Sequence, residues 1–212
     1  MISQRATRWF SKHVVTPLHA SFVSSSRIEK LSRNFLRLLP EGNLEGLDVG
    51  CGTGELAMRI QESRQDVRIT GVDVLIRDNS AIKVLHFDGQ TLPFPDKSYD
   101  FVLISDVLHH TDNPDAMLKE CARVARSFVL IKDHISNTAF DRSTLTFMDW
   151  VGNRGHDVAL TYNYLSSRDW KNAYLHAGLC PDRTIEDLSL YPQPFTLLFD
   201  RRLHFISRLT VS

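Results

Sequence analysis

Four apolar runs in this sequence end in side chains that can do chemistry. Asp73 closes the run Val67–Val72, and Asp88-Gly89 closes a run from about Ile82 to Phe87. Ser105-Asp106-Val107-Leu108-His109-His110 ends the run that begins at Tyr99, and Lys132-Asp133-His134 ends Phe128–Ile131. A carboxylate at a strand end can accept two ribose hydroxyl bonds, and Asp73 stands about twenty residues past a glycine turn, the spacing which that role requires. Asp88 could take an adenine amino proton, with the Gly89 N–H accessible beside it. His109, His110 and His134 are candidate general bases, because imidazole takes up a proton near neutral pH.

The turn is Leu47-Asp48-Val49-Gly50-Cys51-Gly52-Thr53-Gly54-Glu55. An apolar run from Leu44 leads into it, and Leu56, Ala57 and Ile60 resume at helical spacing. Strand, glycine turn and helix together bring bare backbone against a ligand and aim a helix N-terminus at it. The spacing is G-x-G-x-G, without the third glycine of a dinucleotide fingerprint and without the Lys-Ser/Thr of a P-loop. Glu55 places negative charge in the first helical turn, where it suits the helix dipole but would repel a pyrophosphate. The expected ligand is therefore a nucleoside with a positive appendage, not a phosphate. Asp48, Gly50, Cys51, Gly52 and Gly54 are its candidate contacts at the turn.

Structural roles compete with these. Asp48 can hold the turn through backbone N–H bonds. Asp88 can be an Asx-turn residue, and Cys51 can pack as a small apolar side chain. His109 and His110 can be polar loop residues.

Strands alternating with helices must position these groups, which indicates an α/β fold with a mostly parallel sheet. Ligands bind such sheets at the carboxyl ends of the strands, near the switch in strand order. Ser26-x-x-Glu29 resembles a capping box ahead of a helix carrying Ile28, Leu31, Phe35 and Leu38 and ended by Pro40. Val74 to Ala81 is too short for a crossover helix, so a loop or single turn is expected after the second strand. Asn113-Pro114 starts a helix running to about Arg126, and Ser167 to Ala177 reads as another, stopped by Gly178. The last two strands are expected at about Thr184–Leu188 and Phe205–Leu209. Residues 135–165 read as an insertion with a helical stretch from Ser143 to Val151. Its aromatic residues Phe147, Trp150, Tyr162 and Tyr164, with His156, are either walls of an acceptor pocket or the insertion's own core.

The 212 residues suit one domain. Lys plus Arg and Asp plus Glu number 25 each, so the net charge is zero and no nucleic-acid partner is indicated. Cys51, Cys121 and Cys180 lack metal-ligand spacing and read as reduced thiols. With no apolar leader in residues 1–12 and no membrane-length run, the expected location is the cytoplasm.

Leu47 to Gly54, Gly71-Val72-Asp73, Asp88-Gly89 with Leu92-Pro93-Phe94 and Ser98-Tyr99-Asp100, and Asp106-Val107-Leu108-His109-His110 occur in this order. Together they resemble class I S-adenosylmethionine-dependent methyltransferases, in the small-molecule branch that includes quinone-biosynthesis enzymes. The resemblance implies a three-layer, Rossmann-like fold whose seven-stranded sheet has an antiparallel last strand. Residues 1–43, from their own apolar spacing, read as an N-terminal helical lid segment on a methyltransferase domain, 44–212. The resemblance also implies that Gly50 and Gly52 lie beside the aminoacyl and ribose parts of S-adenosylmethionine and that Asp73 binds the ribose hydroxyls. Val74 would pack on adenine, Asp88 and Gly89 would fix its edge, and Ser105 would lie near the methionine end. The short segment after Asp73 departs from the family, which usually continues there into a full helix.

Three readings of function follow. The first is methyl transfer to a small-molecule acceptor at oxygen, nitrogen or carbon. The second is a lipid or polyketide-like acceptor met at a membrane surface. Its motivation is the basic and aromatic N-terminus (Arg5, Arg8, Trp9, Phe10, Lys12) and Arg201, Arg202, His204, Phe205 and Arg208. The third is a cofactor-binding partner subunit without turnover.

Overall fold

The computed structural model describes residues 16–152, 161–191 and 196–212. Within them, helix α1 (Thr16–Leu36) precedes β1 (Leu44–Val49), α2 (Glu55–Ser63), β2 (Val67–Asp73), β3 (Val84–His86) and β4 (Tyr99–Ser105). After a 3-10 turn at Leu108–His110 come α3 (Pro114–Val124), β5 (Ala125–His134) and α4 (Ala139–Gly152). The chain then forms α5 (Ser167–His176), β6 (Leu179–Ile185), α6 (Thr196–Phe199) and β7 (His204–Val211).

The seven strands form one sheet in the order β3-β2-β1-β4-β5-β7-β6. Strands β1 to β5 pair in parallel, and β7 runs antiparallel to both β5 and β6. This is the three-layer, Rossmann-like α/β fold, with the expected antiparallel last strand. Strand order reverses between β1 and β4, and the crevice at their carboxyl ends is the ligand position for such a sheet. Phe101, Val102, Leu103 and Ile104 of β4 are fully buried, as a central parallel strand covered by helices on both faces must be.

Two apolar layers cover the sheet. One contains Met117, Leu118, Cys121 and Val124 of α3 together with Trp170 and Tyr174 of α5. In the other, Leu31 and Phe35 of α1 pack with Ala57 and Ile60 of α2 over Phe101, Leu103 and Leu130. Asn113 Oδ1 accepts the Ala116 N–H at 3.0 Å with Pro114 in the first turn, so α3 starts where its cap requires.

Several boundaries move. The helix expected to begin at Ser26 begins at Thr16, so Ser26-x-x-Glu29 lies inside α1 and is no capping box. The segment after β2 holds no helix, as its length requires. Helix α3 ends at Val124 and passes directly into β5, which continues through Lys132, Asp133 and His134 as a strand. The sixth strand lies at Leu179–Ile185, earlier than expected. It is an edge strand with mostly exposed residues and a proline at Pro181, which an edge tolerates and which hides it from an apolar search. Leu188 instead packs with Phe35 and Ile206.

The C-terminal cations do not form the surface patch invoked for a membrane. His204 and Phe205 are buried, Arg208 pairs with Asp182, Arg201 binds Asp141 at 3.0 Å and lies over the Phe140 ring, and of the five residues Arg202 alone is exposed. The basic-aromatic residues 5–12 lie outside the described residues. No helix among the described residues is long and apolar enough to cross a membrane.

Candidate active site

The glycine turn joins β1 to α2 through three residues at positive φ, Gly50 (69°), Gly52 (59°) and Gly54 (74°). Their surroundings differ. A β-carbon on Gly50 would lie 2.5 Å from Val107 Cγ2, and one on Gly54 would lie 2.4 Å from Ile82 Cγ1. Those two glycines serve the protein's own packing. At Gly52 the nearest group is Arg77 Nη1 at 3.9 Å, so the space a side chain would fill is open.

Asp73 is fixed beside that space. Its Oδ2 accepts the Gly52 N–H at 2.8 Å and its Oδ1 accepts the Leu75 N–H at 2.9 Å, which leaves lone pairs on both oxygens. Arg77 Nη1 stands 3.7 Å from Oδ2. Asp48 is buried at the end of β1, and burial, with the Asp73 charge added, pushes its carboxyl up to about 8. Cys51 packs against β2, since a β-carbon on Gly71 would lie 2.4 Å from its Sγ. Burial, with Asp48 and Asp73, pushes that thiol up to about 12, so it behaves as a small apolar group.

Val74 is 56% exposed, and a β-carbon on Gly89 would lie 3.1 Å from its Cγ1, so the two border one surface. Asp88 Oδ1 accepts the Gln90 and Thr91 N–H groups, each at 2.8 Å, and these bonds hold its carboxyl below the usual range. The Asx turn therefore exists, and Oδ2 takes no part in it. Ser105 is half-buried at the end of β4. All ten cofactor candidates thus lie in or beside the β1–α2 turn and the ends of β2, β3 and β4.

The ends of β4 and β5 hold a different construction. Asp106 adopts φ 58°, a conformation unusual for a residue with a β-carbon. Its carboxylate binds Lys132 Nζ and, at 2.7 Å, Arg27 Nη2 of α1. Burial alone would raise the Asp106 pKa, but Arg27 and Lys132 hold it well below the carboxylate range. Lys132 is 0% exposed in the middle layer of the sheet, and among the described residues its Nζ meets Asp106 and, at 3.5 Å, His204 Nδ1.

Next to this lies a histidine cluster. Asp133 Oδ1 meets His109 Nδ1 at 2.7 Å and His134 Nδ1 at 3.2 Å. His109 Nε2 stands 3.5 Å from Asp149 Oδ2 of α4, and that same oxygen accepts the Tyr164 hydroxyl. Burial disfavours a charged His109, but Asp133, with Asp106 and Asp149 added, outweighs it and raises the pKa. His134 is lowered to about 4 by burial and by Lys132, so its ring is neutral at neutral pH. His110 is lowered by burial and by His109. Its Nδ1 is buried without a hydrogen-bond partner among the described residues. Thr161 Oγ1 and Asn163 N both donate to the His109 carbonyl, at 2.8 and 3.1 Å, so the insertion fixes the histidine turn.

The three base candidates thereby separate. His109 is held between two carboxylates, His134 is neutral and packed within the strand, and His110 keeps a free nitrogen. Of the expected acceptor walls, Tyr164 is buried in the cluster, and Phe147 and Trp150 are about half exposed on α4. His156 lies outside the described residues.

Residues 47–128 match a family model described as a methyltransferase domain. Over those residues the chain carries a methyltransferase domain, on the fold of S-adenosylmethionine-dependent methyltransferases. A 27-O-demethylrifamycin SV methyltransferase of Amycolatopsis mediterranei is 30% identical over 170 residues, 70% of this chain and 58% of that protein. A ubiquinone biosynthesis O-methyltransferase of Rhodopseudomonas palustris is 29% identical over 125 residues, 54% of this chain and 48% of that protein. The chain spans about half the length of the curated relatives it matches. The structure of an S-adenosylmethionine-dependent methyltransferase from Mesorhizobium loti superposes with a TM-score of 0.61 at 17% identity, covering 84% of this chain and 96% of that one.

In this domain, sequence reasoning named Lys132 at its strand end without giving it a role, and missed Arg27 and Asp149 as parts of the site. A lysine inside the apolar run of β5 was a readable signal. The partnership of Arg27 and Asp106, 79 residues apart, had none.

Proposed function

We propose that the chain transfers the methyl group of S-adenosylmethionine to a small-molecule acceptor at a hydroxyl oxygen. One juxtaposition carries the reading. On one side of the β1–β4 switch point lies the open space at Gly52 beside Asp73, and on the other lie strand ends where a buried cluster leaves one imidazole nitrogen, His110 Nδ1, without a partner among the described residues. The residues present fit the cofactor. Asp73 has lone pairs for the ribose hydroxyls, Val74 offers an exposed apolar face for adenine with Asp88 and Gly89 at its edge, and Ser105 lies toward the methionine end. Asp48, beneath the turn, gains a reason to ionise when a positive group approaches.

When bound, the cofactor supplies a methyl carbon already activated by a sulfonium. The chain's own work is to hold acceptor and cofactor in line and to exclude water. Oxygen is favoured because its proton needs a destination, and His110 Nδ1 provides one. The two relatives named for oxygen methylation support the same atom.

Calorimetry with S-adenosylmethionine tests the reading first. Wild-type protein should bind, and Asp73→Ala should lose about 10- to 100-fold in affinity with its circular dichroism unchanged, since each bond to a charged group contributes about 1.5–3 kcal/mol. Mass spectrometry of an extract incubated with protein and isotopically labelled methyl donor then identifies the acceptor. No heat at millimolar cofactor overturns the proposal.

A further inference from the structure

His109, His110 and Asp149 bring one ligand atom each to within 4.8 Å of one another. The contact between His109 Nε2 and Asp149 Oδ2, 3.5 Å, is long for a hydrogen bond. It matches the roughly 3.4 Å edge of a tetrahedron built on metal–ligand bonds of about 2.1 Å. His110 is the third member, and its Nδ1 is buried with no hydrogen-bond partner among the described residues. We infer that these three side chains form a binding site for one divalent transition metal of the zinc class.

The surrounding shell supports this. His109 turns its other nitrogen, Nδ1, to Asp133 at 2.7 Å, the carboxylate–histidine arrangement that sets the tautomer and ring orientation of a metal-bound imidazole. The Tyr164 hydroxyl donates to Asp149 and orients its carboxylate. Two imidazoles and one carboxylate suit zinc, cobalt or nickel better than magnesium or calcium, which favour all-oxygen sets. Three protein ligands leave a fourth position open. The neighbouring set His109, Asp133 and His134 is less apt, because Asp133 Oδ1 is already bonded to both rings. A metal at the first set takes the lone pair that the acceptor's proton would otherwise take. The metal-loaded and base-competent forms of His110 are therefore alternatives.

The test uses the whole chain, freed of metal by a chelator and without cofactor, so its outcome is independent of methyl transfer. Titration with Co2+ should develop visible absorption bands that saturate at one equivalent and bleach on adding Zn2+. His110→Gln and Asp149→Asn should each lose the bands, and Asp133→Asn should weaken metal binding about 10- to 100-fold. His176→Ala, which removes only the exposed His176–Asp115 pair, should bind as wild type. Thermal unfolding without metal checks that each variant folds, and added Zn2+ should raise the Tm of wild type but not of His110→Gln. No visible bands in the wild type overturns the site, and so do bands that persist in both ligand variants.

Discussion

The two halves of the crevice are built on opposite plans. At the ends of β1, β2 and β3 the groups offered to a ligand are set by backbone, through glycines at positive φ and amides that bind Asp73 and Asp88. At the ends of β4 and β5 they are set by side chains from distant segments. Arg27 of α1 meets Asp106, Lys132 meets Asp106 and His204, and Asp149 of α4 meets His109. A backbone site holds one shape of ligand in one place. A side-chain network of charged and titratable groups can be retuned by single substitutions, which suits the role of meeting the acceptor that we propose for this half.

If the halves are separable, substitutions should split stability from cofactor affinity. The largest effect belongs to Asp133→Ala. It removes a buried carboxylate that serves both rings, so His134 loses its hydrogen-bond partner at Nδ1 and His109 the nearer of its two carboxylates. Breaking a buried pair this way costs about 3–5 kcal/mol. Urea denaturation should show that loss, while calorimetry should find cofactor affinity within about threefold of wild type. An equal collapse of both quantities would show that the halves form one unit.

The glycines sharpen the contrast from the other side. Gly50→Ala must both strain its backbone and displace Val107, so a loss of about 2–4 kcal/mol is expected. Gly52→Ala meets only Arg77 Nη1, at an easy 3.9 Å, and should cost only about 1–2 kcal/mol of backbone strain. Its cofactor affinity should nonetheless fall at least about tenfold, because the new methyl group enters the ligand's space. Unchanged affinity in Gly52→Ala would mean that the open space is not where the cofactor lies.

The same contrast governs what could be read from the sequence. The glycine turn, Asp73 at its distance from the turn, and the missing crossover helix were all legible. Each depends on residues close in sequence and on one backbone geometry. The span of β4, Tyr99–Ser105, was legible for a similar reason, since continuous burial leaves a continuous apolar run. The edge strand Leu179–Ile185 was not, because one ladder of hydrogen bonds holds it without an apolar face. The helix start at Ser26 was misread because a local capping pattern is overridden when the chain before it is also helical. The network failed to show for a physical reason: Arg27, Asp106, Lys132 and Asp149 take their meaning from partners that folding brings together. The left-handed backbone of Asp106, unlike that of a glycine, has no signature in residue type.

Asp48 adds a pH test on the backbone side. Its folded pKa of about 8 lies above its ordinary value of 3.8, because burial and Asp73 disfavour the ionised form. The folded protein therefore binds more protons than the unfolded chain between those values. This group's contribution to stability is greatest in acid and is lost as pH rises through that window, by at most about 1.4 kcal/mol per pH unit. Asp48→Asn should remove the slope between pH about 5 and 8 in urea titrations. A cationic cofactor end near Asp48 should reverse the penalty, so wild-type affinity should rise toward pH 8 and that of the Asn variant should not.

The smallest effect concerns Arg77, a charged side chain that intrudes on the backbone half. Its guanidinium lies 3.7 Å from Asp73 Oδ2 and is the nearest group to the open space at Gly52. There it competes with ribose for the same carboxylate and adds positive charge where a positive ligand must enter. A partly exposed pair at this distance contributes no more than about 1 kcal/mol. Arg77→Ala should therefore raise cofactor affinity by about two- to fivefold in calorimetry, with the gain shrinking in high salt as the pair is screened. A loss of affinity instead would make Arg77 a ligand contact, and the cofactor half would then depend on a side chain as the acceptor half does.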